Sequence, residues 1–329
     1  MRLVKRIVTL AVLACVCTVS LSGCSYKDKP VIFQFGENDT TIFIINEMEC
    51  TYSEAMIYLM NAKNIYGTVD GINLWSDEFN TEVIQGSLKD AVMSHLIKVF
   101  VLNQYAFEQG ITLSENDLSK ISEAAKEYYD SLTDEERAYA RIKDVSQIET
   151  MYQHYALAHK VYSGAMSTVD EEVSEDEARI MEALVLFVTT EDEAKEMQGM
   201  IDYGYTFERL AATYTTLDSF RFTFGRGQYP QNVDDVVFNL DTDEVSGALE
   251  ADNGYYFFQC KKKYLEDESE ANKAVIIQKR REKVFEDIMA TQEGKYTSRL
   301  FEDNWEKLSL DTEVSITTAT FFKTLSNYL

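Results

Sequence analysis

Proline is scarce in this sequence: Pro30 and Pro230 are the only two in 329 residues. Because proline ends or kinks helices, most of the chain is free to be helical. Histidine is nearly as rare, with His95, His154 and His159 all in the first half. They fall within helical patterns and read as surface or partly buried structural groups rather than metal ligands. Positive charge is also in short supply, since 31 Lys and Arg face 56 Asp and Glu for a formal net charge of −25. So acidic a surface repels phosphate backbones, which argues against a nucleic-acid partner. Acidic runs such as Asp134-Glu135-Glu136 lack the ligand spacing of a calcium loop and read as solvated faces. Beyond residue 24 there is no C-x-x-C, and no G-x-x-x-x-G-K-S/T, H-E-x-x-H or G-x-S-x-G occurs anywhere. Redox, nucleotide, zinc and hydrolase functions lose their usual marks, and no cofactor or metal is implied.

Long apolar runs are missing too, apart from Ile7 to Val19. That run follows Arg2, Lys5 and Arg6 and is too short to span a hydrocarbon layer of ~30 Å, so it has the form of a secretory signal. It ends in Leu21-Ser22-Gly23-Cys24, which looks like a bacterial lipobox. The expectation is a lipoprotein signal peptide over residues 1–23, palmitate-type acylation of Cys24, and a polar tether over 24–40. A second acyl chain makes such an anchor stable, each buried CH₂ contributing about 0.8 kcal/mol. Of five cysteines, Cys15 and Cys17 leave with the signal and Cys24 carries lipid. Cys50 and Cys260 remain, either as a pair or as buried free thiols.

Patterning then divides the chain. Thr41 to Ile45 is a β-rich run followed by a turn at Asn46-Glu47. Thr51-Tyr52-Ser53-Glu54 has the form of a capping box opening a helix through Tyr66. Apolar residues from Val83 to Leu102 recur at three- and four-residue spacing, giving a long helix to Gln109 that Gly110 ends. Ser114 with Asp117, and Thr133 with Glu136, cap two more helices, and a last one runs from about Val145 to Gly164. The acidic stretch Thr168 to Ala178 reads as a hinge. After it the order becomes β-α-α-β-α-β: a strand at Ala183 to Val188, helices from Thr190 and Thr206, and a strand at Phe220 to Phe224. A short helix at Val233 to Leu240 and an aromatic strand at Gly254 to Cys260 complete a compact α+β domain. Glu268 to Asp303 is mostly helical, and the tail Val314 to Phe322 is β-like. A strand near each end suggests that residues 265–329 fold back onto the helical block, 41–170, with the 178–264 domain inserted.

Within that domain, Leu186-Phe187-Val188, Thr190-Glu191-Asp192-Glu193-Ala194, Phe207 to Leu210 and Tyr214-Thr215-Thr216 are followed by Phe224-Gly225-Arg226-Gly227-Gln228. Phe238-Asn239-Leu240, Val245-Ser246-Gly247 and Asn253-Gly254-Tyr255-Tyr256 complete the series. Together these segments resemble a parvulin-type peptidyl-prolyl isomerase domain. Gly110 to Leu118 is similar to the recurrent segment of the helical domain in foldase lipoproteins and periplasmic chaperones of the PrsA/SurA type. The resemblance implies an α+β protein: a mainly helical chaperone domain, completed by the C-terminal segment, around an inserted parvulin-like domain.

The resemblance also implies two histidines and a Cys or Asp around the prolyl peptide. Aligned on the Thr190 cap, Val185 stands at the first histidine; aligned on Gly254, Tyr256 stands at the second. Leu217 takes the Cys/Asp position, with Asp218 one residue late as a polar contributor. Phe224, Tyr229, Val233 and Phe238 are the candidate peptide-binding groove, and survival of the Gly225–Gln228 turn suggests a surface still in use. Rotation about X–Pro faces a barrier of ~18–20 kcal/mol without bond cleavage, so catalysis needs an apolar seat and stabilisation of a twisted amide. The implied function is a membrane-anchored extracytoplasmic foldase with weak or lost isomerase activity, acting on unfolded exported polypeptides. The alternative is a non-catalytic holdase or assembly scaffold. A solute-binding lipoprotein fits poorly, because two βαβ-rich lobes are lacking.

Overall fold

The computed structural model describes residues 40–69, 72–76 and 78–329. The signal, the lipobox with Cys24 and all but the last residue of the tether lie outside the described residues. Among those described, no helix is long and apolar enough to cross a membrane. The strands are β1 (Thr41–Ile45), β2 (Met48–Thr51), β3 (Thr68–Val69), β4 (Ile72–Asn73), β5 (Ile180–Val188), β6 (Arg221–Gly225), β7 (Leu249–Ala251), β8 (Gly254–Lys262) and β9 (Ser298–Leu300). The chain forms two compact units, one up to Thr168 together with Val284–Leu329, the other Val169–Lys283.

The first unit is mainly helical. Its sheet has the order β2-β1-β9, both pairings antiparallel, so strands from opposite ends of the sequence share β1. Asn46 makes the β1–β2 turn at φ 52°, a left-handed conformation that asparagine tolerates. Helix Tyr52–Tyr66 is the centre of the core, every residue from Tyr52 to Ala62 being buried, so it shows no one-sided apolar period. Around it lie helices Thr81–Gln109, Glu115–Ser131 and Val145–Met166. The caps at Ser114 and Thr133 close as full capping boxes. At Thr51 only half forms: its hydroxyl accepts from the Glu54 N–H at 3.1 Å, while the Glu54 carboxylate turns inward to His154, both oxygens 3.2 Å from Nδ1.

The C-terminal tail departs from expectation. Residues 314–320 form no strand, and Phe321–Ser326 is a short helix. Side chains take the place of a neighbouring strand. Glu136 Oε1 accepts from the Thr317 and Thr318 amides at 2.7 and 2.9 Å. Asn64 Nδ2 donates to the Thr318 carbonyl at 2.8 Å, and Asn61 Oδ1 accepts from the Phe321 amide at 3.0 Å. With its backbone groups met this way, the tail needs no ladder.

The second unit is an antiparallel sheet of order β6-β5-β8-β7 with helices on both faces. Strand β5 reads as continuously apolar because both its faces are buried. Leu184, Leu186 and Val188 meet helices Glu191–Tyr203 and Phe207–Tyr214, while Ala183, Val185 and Phe187 meet helix Gln231–Val237, the two-residue alternation of a strand. The acidic stretch expected as a hinge is pinned. Arg280 donates through Nη1 to the Asp170 and Glu172 carbonyls at 2.7 and 2.9 Å. Through Nη2 it grips both Glu177 oxygens at 2.7 and 2.9 Å.

Candidate functional site

The candidate site is the sheet face beneath helix Gln231–Val237. Val185 opposes Phe258 and Phe187 opposes Tyr256 in the β5–β8 register, so two of the substituted positions, Val185 and Tyr256, share this face. Leu217 packs half-buried against the same cluster; its loop is held by the Thr216 amide donating to the Phe187 carbonyl at 3.1 Å. Asp218 is exposed and makes no side-chain bond among the described residues.

The four groove positions divide. Phe224, Val233 and Phe238 are 2, 0 and 3% exposed: they are core, and a ligand reaches them only if the domain opens. Tyr229 alone is half-buried. Its ring meets Phe224, Tyr256 and Phe258 edge-to-face at 5.1, 5.4 and 5.1 Å, the arrangement aromatic quadrupoles favour. Burial first, then the neighbouring Tyr256 and Asp234, push the Tyr229 phenol up to about 12, so it stays a protonated donor near neutral pH.

The roles of three supporting residues escaped sequence reasoning. Asn253 Nδ2 donates to the Tyr256 hydroxyl at 3.0 Å, leaving that phenol its own proton to give. Asp234 Oδ2 accepts from the Gly227 amide at 2.5 Å, and its Oδ1 is buried with no partner among the described residues. Ser246 Oγ accepts from the Phe258 amide at 2.9 Å; the Val245-Ser246-Gly247 segment is part of the resemblance, but this bond is not.

The Gly225–Gln228 turn also has structural reasons to keep its residues. A Cβ at Gly225 would come within 2.9 Å of Ile180 Cδ1, and Gly227 sits at φ +80°. Arg226 lies 4.6 Å over the Phe238 ring and pairs with Asp176 at 2.8 Å. Arg179 also covers Phe238, at 5.2 Å, and donates to its carbonyl at 2.8 Å.

Chemically, the face offers apolar rings and two phenols. It has no histidine, all three being in the first unit. Its thiol, Cys260, is buried and free, as is Cys50, and burial raises both. His154, read as structural, pairs with Glu54; His95 stacks on Phe322 at 5.7 Å and His159 on Tyr155 at 6.4 Å. Among the described residues no cluster of His, Cys, Asp and Glu suits a metal ion.

No family model matches the chain. Two curated proteins do, each called foldase protein PrsA. That of Caldanaerobacter subterraneus subsp. tengcongensis is 20% identical over 249 residues, covering 73% of this chain and 78% of the relative. That of Halalkalibacterium halodurans is 23% identical over 247 residues, covering 68 and 73%. Among solved structures, the peptidyl-prolyl isomerase PrsA of Bacillus cereus is 18% identical and covers 80% of this chain and 99% of its own, with a TM-score of 0.39, too loose a superposition to argue from. The resemblance to PrsA/SurA-like foldases carried by the sequence motifs is borne out by the two curated relatives.

Proposed function

We propose that this protein is an extracytoplasmic foldase for exported polypeptides, held at the outer face of the membrane by lipid on Cys24. Its inserted domain binds extended apolar or proline-bearing segments and isomerises them slowly or not at all. Residues 24–40 serve as tether, 41–168 with 284–329 as chaperone domain, and 169–283, which include the 178–264 module, as the isomerase-like unit. The foldase relatives support the class. One observation carries the weak turnover: the face bearing Val185, Leu217 and Tyr256 has phenols and aromatic rings where the resemblance calls for histidines. Loss of polar stabilisation for a twisted amide worth a few kcal/mol would cost tenfold in rate for each ~1.4 kcal/mol.

A non-catalytic holdase is the second form of this proposal, favoured by the burial of Phe224, Val233 and Phe238, which closes most of the seat. Refolding of a client limited by proline isomerisation, with the mature chain in catalytic amounts, separates the two. A rate near the uncatalysed one, with client aggregation suppressed, is the expected result. Turnover comparable with a histidine-containing parvulin would overturn the weak-activity proposal, and failure to suppress aggregation would overturn the foldase.

A further inference from the structure

On the sheet face opposite the tyrosines, helix Glu191–Tyr203 packs Ala194 and Met197 into the core with Leu184, Leu186 and Phe257. Its other side holds Asp192, Glu196, Gly199 and Tyr203, all exposed. They are spaced four, three and four residues apart and so share one helix face.

Three features of this face lack a structural cause. Tyr203 is 85% exposed, yet its ring is held 6.0 Å from that of Tyr205, itself 49% exposed, the two flanking Gly204 at φ +98°. Gly199 lies in the helix interior, where glycine is the least favourable residue after proline. A Cβ there would meet nothing within 4 Å, so neither crowding nor strain requires it, and it leaves bare helix backbone between Glu196 and the tyrosine pair. Asp192 and Glu196 make no side-chain hydrogen bond or ion pair among the described residues, although the chain carries a net charge of −25.

We propose that this strip docks extended, arginine- or lysine-bearing segments of unfolded polypeptide, a proposal that rests on the foldase assignment and adds a client class to it. A basic side chain lays its stem on the Tyr203 and Tyr205 rings, where a cation is attracted to the π face. At 1.5 Å of rise per residue, Glu196 and Asp192 lie about 10 and 16 Å along the helix from Tyr203, so they meet a second basic side chain farther along the same client segment. The client backbone passes over Gly199, where no side chain blocks it. The acidic surface also speeds encounter with such segments and repels acidic ones.

The test uses the mature chain and the fluorescence anisotropy of a labelled, unstructured arginine-bearing peptide, against a counterpart with glutamate at the arginine positions. The arginine peptide should bind more tightly, and less so as salt rises. Tyr203→Ala and Glu196→Lys should each weaken binding roughly two- to ten-fold. Gly199→Leu should weaken it comparably while favouring the helix, so that loss cannot be assigned to unfolding. Equal binding of both peptides, or unchanged affinity in Gly199→Leu and Tyr203→Ala, overturns the proposal. If aggregation suppression persists in that case, the foldase assignment stands and only the basic-client strip falls; if the chain protects no client, both fall.

Discussion

Removing His154 should destabilise the helical unit more than any other single histidine change. The Glu54 carboxylate is 2% exposed, and the imidazole, 22% exposed, is 3.2 Å away. Burial alone would lower the His154 pKa, but the charge and hydrogen bond of Glu54 outweigh it and raise the value. His154→Ala strands a buried carboxylate and empties the space beside Phe100, whose ring centroid is 4.8 Å from the imidazole. Breaking one side of a buried pair costs about 3–5 kcal/mol, and the partly open imidazole places this case near the lower end, roughly 3 kcal/mol. With ~2–4 °C per kcal/mol for a unit of this size, Tm should fall by about 6–12 °C. Both tryptophans, Trp75 and Trp305, lie in this unit, so their fluorescence during urea or thermal unfolding reports on it alone. The sign with pH is fixed. A raised histidine pKa contributes stability that is full below the unfolded value of ~6.5 and is lost as pH climbs through the folded value. The wild type should therefore lose stability on that alkaline side, and His154→Ala should lack the slope. A loss under ~1 kcal/mol, or an equal loss when Glu54 is already glutamine, would refute the reasoning.

Cys24→Ala should release the protein from the membrane fraction or leave an uncut precursor; fractionation showing it processed and still bound would sink the lipid anchor. Arg280→Ala should free the Asp170 and Glu172 carbonyls and open 169–177 to limited proteolysis, seen as a new cut that the wild type resists. Asp234→Ala should cost about 1–2 kcal/mol through the lost Gly227 bond, read by urea unfolding of the second unit. Tyr229→Asp should weaken binding of a proline-bearing peptide by isothermal titration, and unchanged affinity would remove Tyr229 from the groove.

Most features set by sequence neighbours alone are legible in the sequence. The Ser114, Thr133 and Thr190 boxes each close within four residues, where sequence neighbours decide the outcome. The αL end at Gly110 is equally local. Strand β5 was legible because burial on both faces leaves an unbroken apolar run. The short strands β2 and β7 were not, since three or four residues carry too little pattern and owe their extension to a neighbour.

The remaining misses share one cause, a polar side chain whose partner is distant in sequence. Thr51 and Glu54 carry a helix-start signature, but His154, a hundred positions away, offers the carboxylate a better partner than the cap, and water cannot compete once the helix is buried all round. Val314 to Phe322 has strand composition, yet the Thr317 and Thr318 amides find the single acceptor Glu136 instead of a strand edge. At the candidate site the same holds for Asp234 and Asn253, which set the turn below Tyr229 and the hydroxyl of Tyr256. The family resemblance alone implies which polar groups are replaced on this face. Only the fold showed that the replacing tyrosines are bonded and packed in place, which is why turnover and binding must be measured separately.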